Sequence, residues 1–233
     1  MCQVPTGRFG PPGYYSPVSS LRYERQAWSE GAILIGIDEV GRGPLAGPVV
    51  AAAVCFPKDH RGIRGVRDSK RVPASGERDR LAAKIRRHAL AFGLGAASVR
   101  EIERVNIRRA TALAMRRALR RCHARLAADA SSVVMIDGLP LPELEHAHTA
   151  LVQGDSRCHA IAAASILAKV ARDRVMVALA SRRPGYGWST NVGYATREHI
   201  DALRTLGLTP HHRQLFCDTA IAQGELFDES LPW

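Results

Sequence analysis

The 233-residue chain is poor in cysteine, and its five cysteines follow no pairing pattern. Cys2, Cys55, Cys122, Cys158 and Cys217 are odd in number, widely spaced and without a Cys-x-x-Cys pair, which excludes a disulfide scaffold and suits a reducing compartment. Cys122-His123 and Cys158-His159 lack the spacing of a zinc site. Long apolar runs are missing too. The longest, 45–56, is broken by Gly47 and Pro48 and is too short to span a bilayer, so no membrane partner is expected. The first thirty residues lack the apolar core of a signal peptide, and the expected location is the cytoplasm. There is no internal repeat and no heptad. Whole-chain disorder is excluded by a hydrophobic share of 46%, and a chain of this length buries roughly 70–75% of the surface its unfolded form exposes.

Acidic charge is also in short supply. Lys and Arg number 33 against 22 Asp and Glu, a net charge of +11. The basic excess is dominated by arginine, whose planar fork suits phosphate, and it points to a polyanionic partner, nucleic acid first.

What is present alternates between strand and helix signals. Residues 1–30 carry a Gly-Pro-Pro-Gly turn and no periodicity, and read as a flexible tail. Residues 33–37 and 49–56 are short apolar runs of strand type, separated by a Gly- and Pro-rich turn. An amphipathic helix is expected over 76–91, a strand over 92–99 and a long helix over 107–126. A buried strand over 133–136 runs into Asp137-Gly138. A short strand over 149–153, an alanine-rich helix over 160–180 and a helix over 196–206 with Thr196 as N-cap follow. Residues 219–233 read as a second flexible tail. The order predicts an α/β domain over 31–218, with a mixed central sheet flanked by helices and a helical C-terminal part.

Three acidic positions stand at strand ends: Asp38-Glu39, Asp137 and Asp155. Carboxylates so placed converge at one edge of an α/β sheet. Neighbouring strand residues face opposite ways, so Asp38 and Glu39 share a site only if the strand breaks at Glu39. Four carboxylates together repel one another, and hard divalent cations with oxygen ligands relieve that repulsion. A pair of such ions is the usual arrangement for phosphodiester chemistry. The Gly41-Arg42-Gly43 turn lacks the spacing of a dinucleotide loop, but it permits close backbone approach to a ligand.

The run from Gly36 to Val50, containing Asp38-Glu39-Val40-Gly41-Arg42-Gly43, resembles the signature of the ribonuclease HII family. Asp68-Ser69-Lys70, Asn106-Ile107, Ile136-Asp137-Gly138, Gly154-Asp155-Ser156, the block from Ala163 to Asp173, Gly193-Tyr194 and His211-His212-Arg213 follow in the family's order. The resemblance implies a ribonuclease H-like fold. It implies an endonuclease that hydrolyses the RNA strand of RNA–DNA hybrids and incises 5′ of single ribonucleotides in duplex DNA, leaving 5′-phosphate and 3′-hydroxyl ends. Asp38, Glu39, Asp137 and Asp155 become the catalytic carboxylates, holding two Mg²⁺ or Mn²⁺ ions. Gly41, Arg42 and Gly43 inherit the reading of the 2′-hydroxyl, and Tyr194 the stacking on the sugar at the junction. Lys70, Asn106 and Lys169 become phosphate contacts. Ala195 and Asn191-Val192 depart from the family's usual Pro and basic pair.

Residues 223–227, Gln-Gly-Glu-Leu-Phe, resemble a sliding-clamp docking peptide whose second position is normally apolar. A monomer is expected. The rival readings are a non-catalytic hybrid-binding protein and a DNA endonuclease of related fold. Clustered carboxylates argue against the first, and a 2′-hydroxyl-reading loop against the second.

Overall fold

The computed structural model describes residues 19–66 and 75–226. Lys70, and the side chains at 223–227, lie outside the described residues. Five strands, β1 (Ile33–Val40), β2 (Val49–Cys55), β3 (Ala91–Ala97), β4 (Ser132–Asp137) and β5 (Thr149–Leu151), form one sheet in the order β3-β2-β1-β4-β5. β1 pairs antiparallel with β2 and parallel with β4, and β5 continues the parallel half. The sheet is mixed, as the pattern predicts.

Both faces are covered, which explains why β2 is apolar throughout rather than alternating. On one face lies α3 (Val99–His123), packed on Ile35, Ile37, Ala51 and Ala53. On the other lies α5 (His159–Arg182), packed on Leu34, Ala52 and Val54, with α1 (Arg22–Ser29) and α2 (Ser75–His88) beside it. In the first half of α5, Ala160, Ala162, Ala163, Ala164 and Ala168 are fully buried, and their small side chains let the helix lie close to the sheet. A third apolar cluster joins Leu45 and Ala46 of the β1–β2 turn to Met176, Tyr186, Trp188, Leu203 and Cys217. It seats α6 (Trp188–Asn191), α7 (Arg197–Leu206) and α8 (Gln214–Leu226) against that turn.

The expectation of a loose tail over 1–30 is corrected for its last part. α1 buries Tyr23, Ala27 and Trp28 on one face, and Glu24 accepts from the backbone N–H of Ala160 at 2.7 Å, holding the start of α5. At the other end, α8 runs to Leu226, inside the segment expected to be a tail. The long helix starts eight residues earlier than expected, at Val99, after Ser98, which forms a capping box with Glu101. It is interrupted at Asn106, whose φ of 69° and ψ of 167° are not helical. Thr196 caps α7 by accepting from His199 N–H, as expected.

Candidate active site

Parallel pairing sets Ile37 beside Ile136, so Asp38 and Asp137 follow at the same level on adjacent strands. Asp137 pairs in turn with Leu151 of β5. The chain then turns through Gln153, at φ 54°, into the short helix α4 (Gly154–Arg157), which carries Asp155. One carboxylate oxygen from each of Asp38, Asp137 and Asp155 lies within 4.8 Å of the others. The convergence read from strand ends is therefore present for these three.

Glu39 behaves differently. The strand break on which a shared site depends is absent: β1 stays paired through Glu39 opposite Ala51 and Val40 opposite Val50. The pleat sends Asp38 towards α5, where Ser165 donates to it, and Glu39 away from it. The Glu39 carboxylate meets the Arg42 guanidinium at 3.3 Å. It remains close enough to Asp38 and Asp137 for their charges to act on one another.

The electrostatics follow from burial. Asp38 is 5% exposed. Desolvation, then the charges of Glu39 and Asp137, push its carboxyl well above the usual range, against hydrogen bonds from Ser165 and from the Glu39 N–H at 2.7 Å. Glu39 is raised chiefly by burial, and Arg42 opposes the rise. Asp137 accepts from Gly154 N–H at 2.6 Å, which ties the end of β4 to α4. A cluster of oxygen ligands that raises its own members' proton affinity is the donor set a hard divalent cation fits.

Next to the carboxylates is the turn that contains Gly41, Arg42 and Gly43. Gly41 has φ 91°, and a Cβ there would overlap Arg172 Nε, so only glycine fits. Arg42 and Gly43 are exposed. Tyr194 is 43% exposed, so it is not a core ring. Its loop touches the turn directly, because Leu45 N–H donates to Gly193 O at 2.8 Å. Asn106 is exposed, and its Oδ1 accepts from Arg109 N–H at 3.1 Å, capping the second half of α3. Lys169 is paired with Asp173 at 2.8 Å.

Sequence reasoning gave Arg172 and Arg213 no role, yet both are fully buried beneath the turn. It also missed the network Trp188–His199–His212. His199 Nδ1 faces Tyr194 O at 2.9 Å, so that nitrogen carries the proton. His199 Nε2 then accepts from Trp188 Nε1 at 3.0 Å and from His212 Nε2 at 3.1 Å. The His211-His212-Arg213 motif was the available signal, but nothing in its residue types announces burial.

A mixed sheet whose parallel half ends in clustered carboxylates, within a chain of net charge +11, defines a nuclease of the ribonuclease H-like class. The family model described as Ribonuclease HII matches residues 35–219. A ribonuclease HII from Synechococcus sp. is 50% identical over 202 residues, covering 84% of this chain and 87% of that protein. Among solved structures, Bst-RNase HIII in complex with Mn²⁺ is similar at a TM-score of 0.65 and 21% identity, over 84% of this chain and 71% of that one. The RNase HII of the Archaeoglobus fulgidus PCNA:RNase HII complex is similar at 0.62 and 22%, over 86% and 96%. The chain belongs to the ribonuclease HII family, whose members are metal-dependent endonucleases that cut the RNA strand of RNA–DNA hybrids.

Proposed function

We propose that Asp38, Asp137 and Asp155, joined by Glu39, hold two divalent ions, Mg²⁺ or Mn²⁺, and that the enzyme also incises duplex DNA 5′ of a single ribonucleotide. The observation that carries the reading is the approach of three carboxylate oxygens within 4.8 Å around a buried Asp38. When bound, such ions supply an activated water and stabilise charge on the phosphate and the leaving 3′-oxygen. The chain's own residues do the rest. Gly154 N–H fixes the Asp137 carboxylate, while Glu39 N–H and Ser165 fix Asp38, so the donor set is oriented before substrate arrives. Arg42 holds Glu39 beside the cluster. The Gly41–Gly43 backbone approaches the sugar edge and reads its 2′-hydroxyl, the group that separates RNA from DNA, and Tyr194 stacks on the neighbouring sugar. Lys70, Lys169 and the amide nitrogen of Asn106 contact phosphates. That an RNase HIII of like fold was solved with Mn²⁺ supports the choice of ion.

The test is cleavage in Mg²⁺, in Mn²⁺ and in EDTA, on a duplex with one ribonucleotide, the same duplex in all-DNA form, and an RNA–DNA hybrid. A metal-dependent nick 5′ of the ribonucleotide, with the all-DNA duplex intact, is the expected result. Cutting of the all-DNA duplex would overturn the sugar-reading assignment. The reading extends to a cytoplasmic monomer whose residues 223–227 dock on a sliding clamp, as the archaeal relative of like fold is bound to PCNA. Deletion of 223–233 should abolish clamp binding in a pull-down with the purified bacterial clamp and leave hybrid cleavage intact.

A further inference from the structure

We propose that Arg172 and Arg213 are positioning residues for ribonucleotide recognition, locking the Gly41–Gly43 turn and the Tyr194 loop into one rigid reading surface. This rests on the sugar-reading assignment above and adds the device that sets it.

Every hydrogen bond that these two guanidinium groups make among the described residues goes to a backbone carbonyl. Arg172, from α5, donates to Ala46 O at 3.0 Å, Pro48 O at 3.0 Å and Val192 O at 2.9 Å. Arg213, at the start of α8, donates to Gly41 O at 2.6 Å, Arg42 O at 2.8 Å and Gly47 O at 2.8 and 3.1 Å. Five carbonyls between Gly41 and Pro48 are thus held from beneath, and Arg172 reaches across to the tyrosine loop as well. Gly193 O closes the join by accepting from Leu45 N–H at 2.8 Å and Ala46 N–H at 3.3 Å. The Arg172 guanidinium carbon lies 6.0 Å from the centre of the Tyr194 ring, within range of a cation–π contact.

The arrangement is expensive. Both side chains are 0% exposed, and neither forms an ion pair with a described carboxylate. Desolvation lowers both pKa values, and Arg213, further repelled by Arg172, falls to about 9. Apolar side chains would fill such a space at less cost. What they could not do is satisfy six carbonyls on two separate loops at fixed angles, which takes the planar five-donor fork of arginine. A lysine keeps the charge but concentrates its donors at one point, so it cannot bridge them.

The test compares wild type, Arg172→Lys and Arg213→Lys by kcat/KM on the single-ribonucleotide duplex and on the RNA–DNA hybrid. Both substrates use the same carboxylates, so a general structural loss lowers both alike. Loss of positioning should lower the ratio of single-ribonucleotide to hybrid activity by about tenfold or more, hybrid cleavage falling less. Hydrogen exchange at the Leu45 and Ala46 amides should quicken in parallel. Should Arg213→Lys fail to fold, Arg172→Lys makes the same test from the other side of the turn. Equal losses on both substrates, or a constant ratio with quickened exchange, would overturn the proposal. A wild type that cuts the all-DNA duplex equally well would bring down the sugar-reading assignment itself. A discriminating wild type with equally discriminating variants brings down only the clamp.

Discussion

Asp38 is buried between two other acidic residues, and this makes it a liability in the metal-free protein. A carboxyl whose folded-state pKa lies above its unfolded value destabilises the fold at neutral pH, and here burial and the charges of Glu39 and Asp137 all act in that direction. Asp38→Asn keeps an acceptor for the Glu39 N–H and removes the charge. In EDTA its Tm should therefore rise by ~2–5 °C, while hybrid cleavage in Mg²⁺ falls at least about a hundredfold. Calorimetry and a cleavage assay check the pair, and a lowered Tm in EDTA would show that the charge is not the burden described. Tyr194 poses the opposite case. Its exposed ring contributes little to the core, so Tyr194→Ala should leave Tm within about 2 °C and reduce incision at a single ribonucleotide more than hybrid cleavage. Equal losses on the two substrates would remove its role at the junction. The acidic residues were legible because carboxylates at strand ends have few structural uses. Arg172, Arg213 and Glu24 were not, because charged residues in a sequence read as surface, and only the fold reveals the backbone groups that justify their burial.

At the level of elements, β3 is an edge strand, and arginines from α3 and from just beyond its end reach its carbonyls. Arg117, Arg121 and Arg125 donate to Ala96 O, Leu94 O and Phe92 O respectively. The spacings match: four helical residues advance about 6 Å, and two strand residues about 6.6 Å. A row of arginines every fourth residue can therefore follow alternate carbonyls along the strand. The helix lies near enough because Gly93 and Gly95 have no side chains. A Cβ at either would overlap the helix backbone at Ala118 O or Ala114 O. Unpaired edge carbonyls are a template for association between chains, and the arginines cover them. Arg121→Ala combined with Arg125→Ala should keep the fold but lower the onset temperature of aggregation by light scattering. An unchanged onset would mean that the edge needs no such cover. In the sequence these arginines are visible only as part of the basic excess that points to a polyanionic partner. The strands themselves were legible from short runs of 4–8 residues. The start of α3 was obscured by Asn106, since a helix that resumes after a non-helical residue has no single hydrophobic period. α1 was obscured by the turn-rich segment before it.

For the molecule as a whole, acid stability should be limited by its buried histidines as well as by its carboxylates. His159 joins three parts of the structure. Its Nε2 accepts from Ile63 N–H at 3.1 Å, and its Nδ1 faces the Ser19 hydroxyl, which itself donates to Val66 O. The ring is therefore needed in its neutral form. Burial, then the charge of His60, lowers its pKa to about 4. Burial, then His199 and His211, lowers His212 to about 4 as well, where it packs against Tyr186 and Trp188. The sign follows directly. Between the unfolded value near 6.5 and the folded value near 4, the unfolded chain binds more protons than the native one, so stability falls as pH drops through that window. Above pH 6.5 neither group contributes a slope, and below 4 both are charged in each state. The loss should be on the order of 2 kcal/mol for each histidine. Urea unfolding at pH 7.0, 5.5 and 4.5 measures the slope, and His159→Gln isolates one share of it. Glutamine retains an acceptor and a donor without taking up a proton, so the variant should be less stable than wild type at pH 7 and lose less on acidification. A variant whose stability falls as steeply as wild type between pH 6.5 and 4.5 would assign the acid sensitivity to other groups.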